Sequence, residues 1–368
     1  MTQRLPPSLT PLDTALAALL RGVDPVTPIE LALAEATGCI AAGMPLLPAY
    51  PPRDIATVDG WALRASDLVG ASSYSPLPLT TLPTWVEAGD ALPLGCDCVL
   101  DVDAVEASGP LAHVLAEGVP GQGVARAGRD IAENTPAAAA GCPVGAAALL
   151  LARVARVDKL SVRRPRLRIV NVPGATATLQ MIASLARAAG LDASAHEAVS
   201  RDAASIAETL DLHACDLLLT IGGSGVGRGD AAVAALAQRG VQFNHGLALQ
   251  PGRTAAAGRL GNVPVVALPG SPAQALAIWL ALVLPLVDRL SARQPRRAVT
   301  LPLGRKIASS VGIAEIALLA QEHETWMPLA VGEWPLQAVA RADAWLLIPA
   351  SHEGFAAGAP VDAYLMRE

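Results

Sequence analysis

The sequence predicts a multidomain α/β plus β protein, in which a parallel-sheet α/β domain follows a β-rich module and precedes a small C-terminal β domain. The chain has 368 residues, and a single hydrophobic core stops growing at roughly 250–300 residues, so at least two domains are expected. Apolar strands alternate with helices from residue 166 to residue 290, which is typical of βαβ units and a mostly parallel sheet. Short apolar runs between proline, glycine and aspartate clusters indicate β structure on either side.

The N-terminal part combines helices with a β-rich module. Thr10–Leu20 predicts a helix, because Thr10 can cap it, Pro11 suits its first position and the leucines repeat with helical spacing. Residues 45–140 have the turn-rich punctuation of an all-β module. The run Val144–Val157 fits either a helix or a buried strand.

The α/β segment alternates strands and helices in a regular order. Its predicted strands are Leu167–Val172, Ala193–Val199, Asp216–Ile221, Phe243–Leu249 and Val263–Leu268. Its predicted helices are Thr178–Ala189, Asp202–Leu212, Asp230–Arg239 and Ala273–Leu290. The further strands predicted for a small C-terminal β domain are Ala298–Leu301, Trp345–Ile348 and Pro360–Leu365.

Composition argues against several classes of protein. The chain has 27 basic and 33 acidic residues and a net charge of −6, which disfavours binding to nucleic acid or to acidic membranes. The longest uncharged stretch, Leu260–Val287, is interrupted by prolines and predicts strand, turn and buried helix, not a membrane span. The start of the chain lacks the apolar run of a signal peptide, and the five cysteines are scattered. We therefore expect a soluble protein in the cytoplasm.

The most informative segment is Ile221–Asp230, which places four alternating glycines between a predicted strand and a predicted helix. Glycine lets backbone N–H groups converge on an anion, and the helix start is expected to add its free N–H groups. The segment matches neither a Walker A loop nor G-x-G-x-x-G. The candidate ligand-binding residues here are Gly222, Gly223, Ser224, Gly225 and Gly227. The structural alternative is a tight turn in which Asp230 caps the helix.

Two more turns follow predicted strands, at Pro251–Arg253 and at Pro269–Pro272. Ligands bind at the carboxyl ends of strands in open parallel sheets, so the three turns are expected to gather at one edge. Arg253 offers a planar cation for phosphate, and Ser224 and Ser271 offer donors. The candidate ligand-binding residues in these two turns are Pro251, Gly252, Arg253, Pro269, Gly270, Ser271 and Pro272.

The β-rich module contains two acids with glycine nearby: Asp59 is followed by Gly60, and Asp130 is preceded by Gly128 and Arg129. Each alone is typical of a turn. A pair of such carboxylates facing the phosphate edge would suit a divalent metal or an oxyanion. The six histidines and five cysteines show no metal-ligand spacing, so the sequence assigns them no role.

Taken together, these segments resemble the molybdopterin molybdenumtransferase family, which includes MoeA and the E domain of gephyrin. Five motifs in order, spread over essentially the whole chain, carry the resemblance. They are Pro51–Ala62, Gly128–Ile131, Gly222–Gly227 with Asp230, Pro251–Arg253 and Leu268–Pro272.

The resemblance implies four domains and an elongated homodimer whose site lies between one subunit's α/β domain and its partner's β domain. The implied domains are a helical and linker domain (1–45 and 141–165), an inserted β domain (46–140), a molybdopterin-binding α/β domain (166–295) and a C-terminal β domain (296–368). The implied reaction inserts molybdate into adenylylated molybdopterin and releases AMP, with a divalent cation such as Mg²⁺.

The resemblance also implies roles for four acids. Asp59 would be the catalytic or molybdate-side carboxylate, with Asp130 in support, and Asp202 and Asp230 would contact the metal. The three turns would cradle phosphate and pterin.

The sequence departs from the family pattern at Val172–Thr176, where the family's Thr-Gly-Asp-Glu loop has lost both acids and the loop that follows is shortened. Arg253 stands where lysine is usual, and it is not an equivalent point charge. We expect weakened cation binding with phosphate recognition retained. A paralogue that carries the cofactor to a molybdoenzyme is the alternative, and a dimeric scaffold is disfavoured because no interaction tail is present.

Overall fold

The computed structural model of the protein describes residues 3–108, 111–210 and 215–366. Its α-helices are α1 (Leu12–Leu20), α2 (Ala146–Val154), α3 (Thr176–Ala188), α4 (Ala203–Thr209), α5 (Ala232–Gln238), α6 (Pro272–Ile278), α7 (Leu284–Leu290) and α8 (Leu336–Arg341). Its strands are β1 (Thr10–Pro11), β2 (Ile29–Ala32), β3 (Ile40–Ala41), β4 (Leu46–Leu47), β5 (Ile55–Ala56), β6 (Gly60–Leu63), β7 (Leu77–Leu79), β8 (Thr84–Val86), β9 (Cys98–Leu100), β10 (Val105–Ser108), β11 (Leu111–Val114), β12 (Val124–Ala125), β13 (Thr135–Pro136), β14 (Lys159–Arg163), β15 (Arg166–Asn171), β16 (Asp192–Glu197), β17 (Leu217–Ile221), β18 (Gln242–His245), β19 (Leu247–Gln250), β20 (Ala256–Leu260), β21 (Val263–Leu268), β22 (Ala298–Pro302), β23 (Ile307–Ala308), β24 (Ala314–Glu322), β25 (Thr325–Val331), β26 (Ala344–Ile348), β27 (Gly354–Phe355) and β28 (Pro360–Leu365).

The chain divides into two units. The larger unit comprises Met1–Gly43, Ala140–Val144 and Ser161–Glu368, and the smaller unit comprises Met44–Ala139 and Gly145–Leu160. The four domains expected from the sequence are a finer division, which stays a prediction.

The smaller unit is built from short antiparallel strands. Its sheets have the orders β8-β6-β9 and β10-β11-β7, with the two-stranded ribbons β5-β12 and β4-β13 beside them. Gly60 is required where β6 meets β9, because a Cβ at this position would lie 2.1 Å from the carbonyl oxygen of Leu100. The run from Val144 to Val157, which the sequence left open between helix and strand, contains α2.

A six-stranded sheet forms the centre of the larger unit, in the order β16-β15-β17-β21-β20-β18. The first four strands are parallel, β20 runs antiparallel to β21, and β18 runs antiparallel to β20. Ile169 and Leu219 belong to a buried cluster with α3 and α6, whereas Val170 and Leu218 belong to one with α4 and α5. Helices therefore cover both faces, and the predicted mostly parallel α/β sheet is confirmed.

The order of this sheet defines a switch point. The chain leaves β15 for β16 on one side and then passes back to β17 on the other side of β15. The connections at the carboxyl ends of β15 and β17 thus diverge, which opens a crevice where ligands bind in doubly wound folds.

The predicted strand Phe243–Leu249 is wrong as a single element. The structure divides it at Gly246, whose φ is +87°, into β18 of the six-stranded sheet and β19 of another sheet. This other sheet has seven strands, in the order β1-β19-β24-β26-β28-β22 with β25 beside β24. Glycine is needed at the bend because a positive φ is costly for other residues.

The cap predicted for the first helix is also wrong. Thr10 lies in β1, where it pairs with Leu247 of β19, and its N–H donates to the carbonyl oxygen of Gly246 at 2.9 Å. Pro11 therefore takes the position before α1, without a side-chain cap. Extended pairing with the sheet excludes the geometry in which the Thr10 hydroxyl could reach the helix N–H groups.

The apolar helix Pro272–Leu290 connects the two sheets of the larger unit. It consists of α6, a π-helical segment at Trp279–Val283, and α7. Its mean hydropathy of 1.6 and its length would permit a membrane span, but 78% of the apolar window is buried within the protein. Pro285 lacks an N–H and would crowd the carbonyl four residues earlier in a regular helix, so the wider π turn accommodates it.

The cysteines behave as small apolar residues. None of the five forms a disulfide bond in the part of the chain that the structure describes. Burial raises the pKa of the Cys98 thiol to about 11 and also raises the pKa of Cys39. Thiols with raised pKa values are poor nucleophiles and poor metal ligands at neutral pH.

Candidate functional site

The loop after β17 turns sharply and packs against two other loops. Gly222 and Gly223 have φ values of +88° and +69°. The Gly222 N–H donates to the carbonyl oxygen of Leu268 at 2.9 Å, and a Cβ on Gly222 would lie 3.3 Å from the Ala175 Cβ. The connections after β15, β17 and β21 thus meet at the switch point.

The turn Pro269–Pro272 is in direct contact with the glycine loop. A Cβ on Gly270 would lie 3.5 Å from the Gly222 Cα. The buried hydroxyl of Thr178, at the start of α3, donates to the carbonyl oxygen of Gly270 at 2.6 Å. Two of the three predicted turns therefore lie side by side.

The turn Pro251–Arg253 follows β19, so it leaves the seven-stranded sheet and not the α/β sheet as expected. It nevertheless reaches the same region, because Gln250–Thr254, Ser271, Gln274 and Trp334 line one cavity of about 410 Å³. Gly252 has a φ of +120°, and a Cβ there would lie 2.7 Å from the Cδ1 of Ile278 in α6.

Cationic and hydroxyl groups at this cavity are uncommitted. Arg253 and Ser271 are exposed, and Ser271 precedes α6 without a side-chain cap bond. Within residues 3–108, 111–210 and 215–366, no acid pairs with the Arg253 guanidinium. The geometry brings the three turns together, and their role in binding a ligand stays a prediction.

The alternating glycines of the loop have a structural cause that the sequence did not reveal. The Asp230 carboxylate folds back over the loop, where its Oδ2 accepts the Gly227 N–H at 2.8 Å. A Cβ on Gly225 would lie 2.5 Å from that oxygen, and one on Gly227 would lie 2.9 Å from it. Both glycines therefore make room for a carboxylate of the same chain.

Asp230 does not cap the following helix, which begins at Ala232 and not at Asp230. Gln3 takes that role: its Oε1 accepts the N–H groups of Val233 and Ala234 at 2.9 and 3.2 Å. Its Nε2 donates to the carbonyl oxygens of Gly223 and Gly225 at 3.0 and 2.7 Å. The expectation of free N–H groups at this helix start is therefore wrong for two of them.

Three fully buried polar side chains at this edge have no hydrogen-bond partner among the residues described. They are Asn171 at the end of β15, Thr220 in β17 and Ser224 in the glycine loop. The Ser224 carbonyl oxygen is held separately, 2.9 Å from the Nε2 of His245. A buried polar group without a partner costs about 1–3 kcal/mol, so groups of this kind are typical of sites that receive water or ligand atoms.

The two predicted metal ligands are engaged within the chain. Asp202 caps α4, since its Oδ1 accepts the N–H groups of Ala204 and Ser205 at 3.0 Å, and its Oδ2 accepts the Ser200 hydroxyl. The Ser200 hydrogen bond is the largest cause that lowers the pKa of Asp202.

Asp230 faces a cation of the same chain. Its Oδ1 lies 3.5 Å from the Nη2 of Arg201, in addition to the Gly227 bond at Oδ2. In the described part of the chain, no group of three or more His, Cys, Asp or Glu side chains could hold a metal ion. The donors present do not fit Mg²⁺, which prefers several uncommitted oxygen ligands, and the metal assignment stays a prediction that these contacts disfavour.

The two predicted catalytic acids lie in the smaller unit and are both exposed. The Asp59 Oδ1 accepts the Ala88 N–H at 2.8 Å. In the antiparallel β5-β12 ribbon, Asp59 follows the end at which Ala56 pairs with Val124. Asp130 lies beyond the other end, next to Ile131, which bridges to Tyr50. The structure does not pair these carboxylates with each other, and their catalytic role stays a prediction.

A third acid of the smaller unit, Asp54, was not singled out by the sequence. Its carboxylate accepts the Ala127 N–H at 2.9 Å and the Arg126 Nη1–H at 2.6 Å. These contacts, the backbone N–H first, lower the pKa of Asp54. Asp54 thereby ties the segment before Asp59 to the segment before Asp130.

Comparisons with known proteins agree with this architecture. A family model described as a probable molybdopterin binding domain matches residues 172–289. A second model, described as the MoeA N-terminal region (domain I and II), matches residues 10–155. The two matched ranges include the three turns and both exposed acids.

Relatives with similar sequences extend over most of the chain. Molybdopterin molybdenumtransferase 1 from Mycobacterium tuberculosis is 27% identical over 405 aligned positions, covering 93% of this chain and 95% of that protein. Molybdopterin molybdenumtransferase 2 from the same organism is 28% identical over 312 positions, covering 73% and 76%. The crystal structure of a MoeA protein from Pyrococcus horikoshii superposes with a TM-score of 0.72 at 23% identity, covering 98% of this chain and 100% of that one. This last likeness shows that the fold is shared.

Proposed function

This chain belongs to the molybdopterin molybdenumtransferase (MoeA) family, and on that premise we propose that it binds molybdopterin and inserts molybdate into adenylylated molybdopterin with release of AMP. The curated relatives bear the name of this activity. Molybdopterin and molybdate are substrates here, and the product is expected to pass to a molybdoenzyme.

The proposal depends on one observation: the loops that follow β15, β17 and β21 meet at the switch point of the six-stranded sheet. The Gly222 N–H reaches the Leu268 carbonyl oxygen, and Gly270 lies against Gly222. In the cavity beside them, the Arg253 guanidinium has no acidic partner and the Ser271 hydroxyl makes no cap bond among the residues that the structure describes. A phosphorylated pterin needs this combination of close backbone approach and planar cation.

Each residue group has a proposed part. Arg253 and the Pro269–Pro272 turn hold anionic oxygens of the ligand beside the glycine loop. Asp59 is the proposed catalytic carboxylate, with Asp130 in support. No step uses Mg²⁺, because Asp202 and Asp230 are engaged with N–H groups, Ser200 and Arg201.

Turnover is tested by giving the purified protein adenylylated molybdopterin and molybdate and measuring released AMP. We expect Asp59→Asn to slow release by about 100-fold, the size of effect typical for one positioned catalytic group. The amide can still accept the Ala88 N–H, so folding is expected to be retained. Binding of molybdopterin without AMP release would contradict the proposed transferase.

A matched control is available in the turn Glu87–Asp90, which contains the Ala88 N–H that Asp59 accepts. The Asp90 Oδ2 accepts the Glu87 N–H at 3.0 Å, much as Asp59 accepts the Ala88 N–H. Asp90→Asn should leave AMP release unchanged, and equal losses in both variants would show that the turn and not Asp59 matters.

We also propose that the protein acts in the cytoplasm as a homodimer. Light scattering on the purified chain should give about twice 37.5 kDa. A monomer that releases AMP would contradict the dimer and leave the transferase proposal standing.

A further inference from the structure

Arg201 spans the crevice between the loops that follow β15 and β17. Its Nη1 donates to the carbonyl oxygen of Pro173 at 2.7 Å, and its Nη2 lies 3.5 Å from the Asp230 Oδ1. The side chain is 49% exposed, so its outer edge faces solvent. A guanidinium has five N–H donors, and two of its contacts lie inside the crevice, which leaves donors for a ligand.

The Arg201 side chain lies close to glycines of both loops. A Cβ on Gly174 would lie 3.4 Å from the Arg201 Nη1, and one on Gly229 would lie 3.6 Å from its Nε. Gly174 belongs to the segment that resembles the family's acidic loop without its two acids. The cation therefore occupies the part of the crevice where the sequence lacks carboxylates.

The nearby acids do not offer a cation site while Arg201 is present. Asp230 is shared between the Gly227 N–H and Arg201, and Asp202 is engaged by two backbone N–H groups and Ser200. A divalent ion placed here would face repulsion from the guanidinium at short range.

We propose that Arg201 supplies the positive charge that a divalent cation would otherwise provide, so that this protein binds the phosphate of molybdopterin independently of Mg²⁺. A guanidinium held by Pro173 and Asp230 is preorganised as a planar fork for phosphate oxygens. This inference rests on the proposed function and specifies how the same site meets its anionic ligand.

The test is anaerobic titration of the full chain with molybdopterin, followed by calorimetry, once in EDTA and once in excess MgCl₂. For the unmodified protein we expect dissociation constants that agree within about threefold in the two buffers. Arg201→Gln should weaken binding in EDTA by about tenfold or more, because it removes hydrogen bonds from a charged donor. Arg201→Lys keeps a charge, so it should bind more weakly than the parent and stay independent of Mg²⁺.

A charge reversal gives the sharpest contrast. Arg201→Asp releases Asp230 from its cation and adds a second carboxylate near it, so binding should become weak in EDTA and recover with MgCl₂. Arg187→Gln is the control, because it also removes one exposed positive charge. Arg187 is in the last turn of α3, at the far end of the helix from the loop that contacts Arg201. Thermal unfolding of each variant establishes that it is folded.

The outcomes separate this inference from the proposed function. Binding by the unmodified protein that is lost in EDTA and restored by MgCl₂ would overturn the role of Arg201 and leave molybdopterin binding intact. Unchanged affinity of folded Arg201→Gln in EDTA would also overturn it. Absence of binding in both buffers would overturn the proposed function and this inference together.

Discussion

The glycine loop and the Pro251–Arg253 turn both contain glycines and both belong to the proposed ligand site, but they use their polar groups differently. The loop is largely satisfied within the chain, since Asp230 covers it and Gln3 binds two of its carbonyl oxygens. The turn leaves its guanidinium unpaired beside a cavity of about 410 Å³. A glycine-rich sequence thus shows that backbone and other groups approach closely, but not whether the approaching group is a ligand or the protein itself.

The largest effect that this comparison predicts is on ligand binding through the open turn. Arg253→Gln should weaken molybdopterin binding by about 10- to 100-fold, because hydrogen bonds to charged groups contribute about 1.5–3 kcal/mol. Calorimetric titration measures the change. Arg253→Lys should recover only part of the affinity, since a point charge cannot bind in two places.

The control for this prediction is Arg341→Gln, which removes an exposed positive charge from the end of α8. Equal weakening by both variants would mean that net charge, and not the Arg253 guanidinium, sets the affinity.

The next effect concerns the packing of the same turn. Gly252→Ala should destabilise the protein by about 1–3 kcal/mol more than Gly240→Ala does, because the added methyl would overpack against Ile278. Gly240 also has a positive φ, of +77°, but nothing within 4 Å of an added Cβ, so it carries a backbone cost without a packing cost. The φ of +120° at Gly252 is less accessible to alanine and adds to the difference. Urea unfolding measures both, and equal losses would contradict the packing account.

A smaller effect is expected in the internally satisfied loop. Gln3→Ala removes the acceptor for Val233 and Ala234, and loss of such a helix cap costs about 1 kcal/mol. Hydrogen exchange of these two amides should accelerate, while exchange in β21 should not change. Unchanged protection at Val233 and Ala234 would show that Gln3 is dispensable for the loop.

The smallest effect is on the pH dependence of stability. The Ser200 hydroxyl and the α4 N–H groups lower the folded-state pKa of Asp202 below its ordinary value of 3.8. The stabilisation is therefore complete above the unfolded pKa and is lost as the pH falls through the folded pKa. Asp202→Asn should flatten the decline of the free energy of unfolding below about pH 5, and an unaltered acid slope would contradict this role.

The sequence predicted the α/β alternation well because buried parallel strands and their helices have strong periodic signals. Leu167–Val172 and Val263–Leu268 were placed within one residue of the strands that the structure shows. The segment Phe243–Leu249 failed because a single glycine moves the chain between sheets without interrupting the apolar pattern. The end predicted for the helix Asp202–Leu212 lies partly outside the described residues, and α4 ends at Thr209.

The meeting of the glycine loop and the Pro269–Pro272 turn could be anticipated from sheet topology, but the position of Pro251–Arg253 after a strand of the other sheet and the partners of the side chains could not. Gln3 acts on the glycine loop across 220 or more positions of the chain, and no local signal marks such a contact. His245 was assigned no role because it lacks a metal-ligand neighbour, yet its ring contacts the Ser224 carbonyl oxygen. Arg201 lies in an ordinary polar run, and only the folded backbone shows what it faces.

The bend at Gly246 has a mechanical consequence for the cavity. Arg253 follows it by seven positions, in the turn after a strand of the second sheet, whereas Ser271, which lines the same cavity, follows a strand of the first. Sliding of one sheet over the other would therefore alter the width of the opening while each wall keeps its own shape. Mutations that loosen the packing between the sheets at positions outside the cavity lining should broaden the range of anion sizes accepted before they lower the melting temperature.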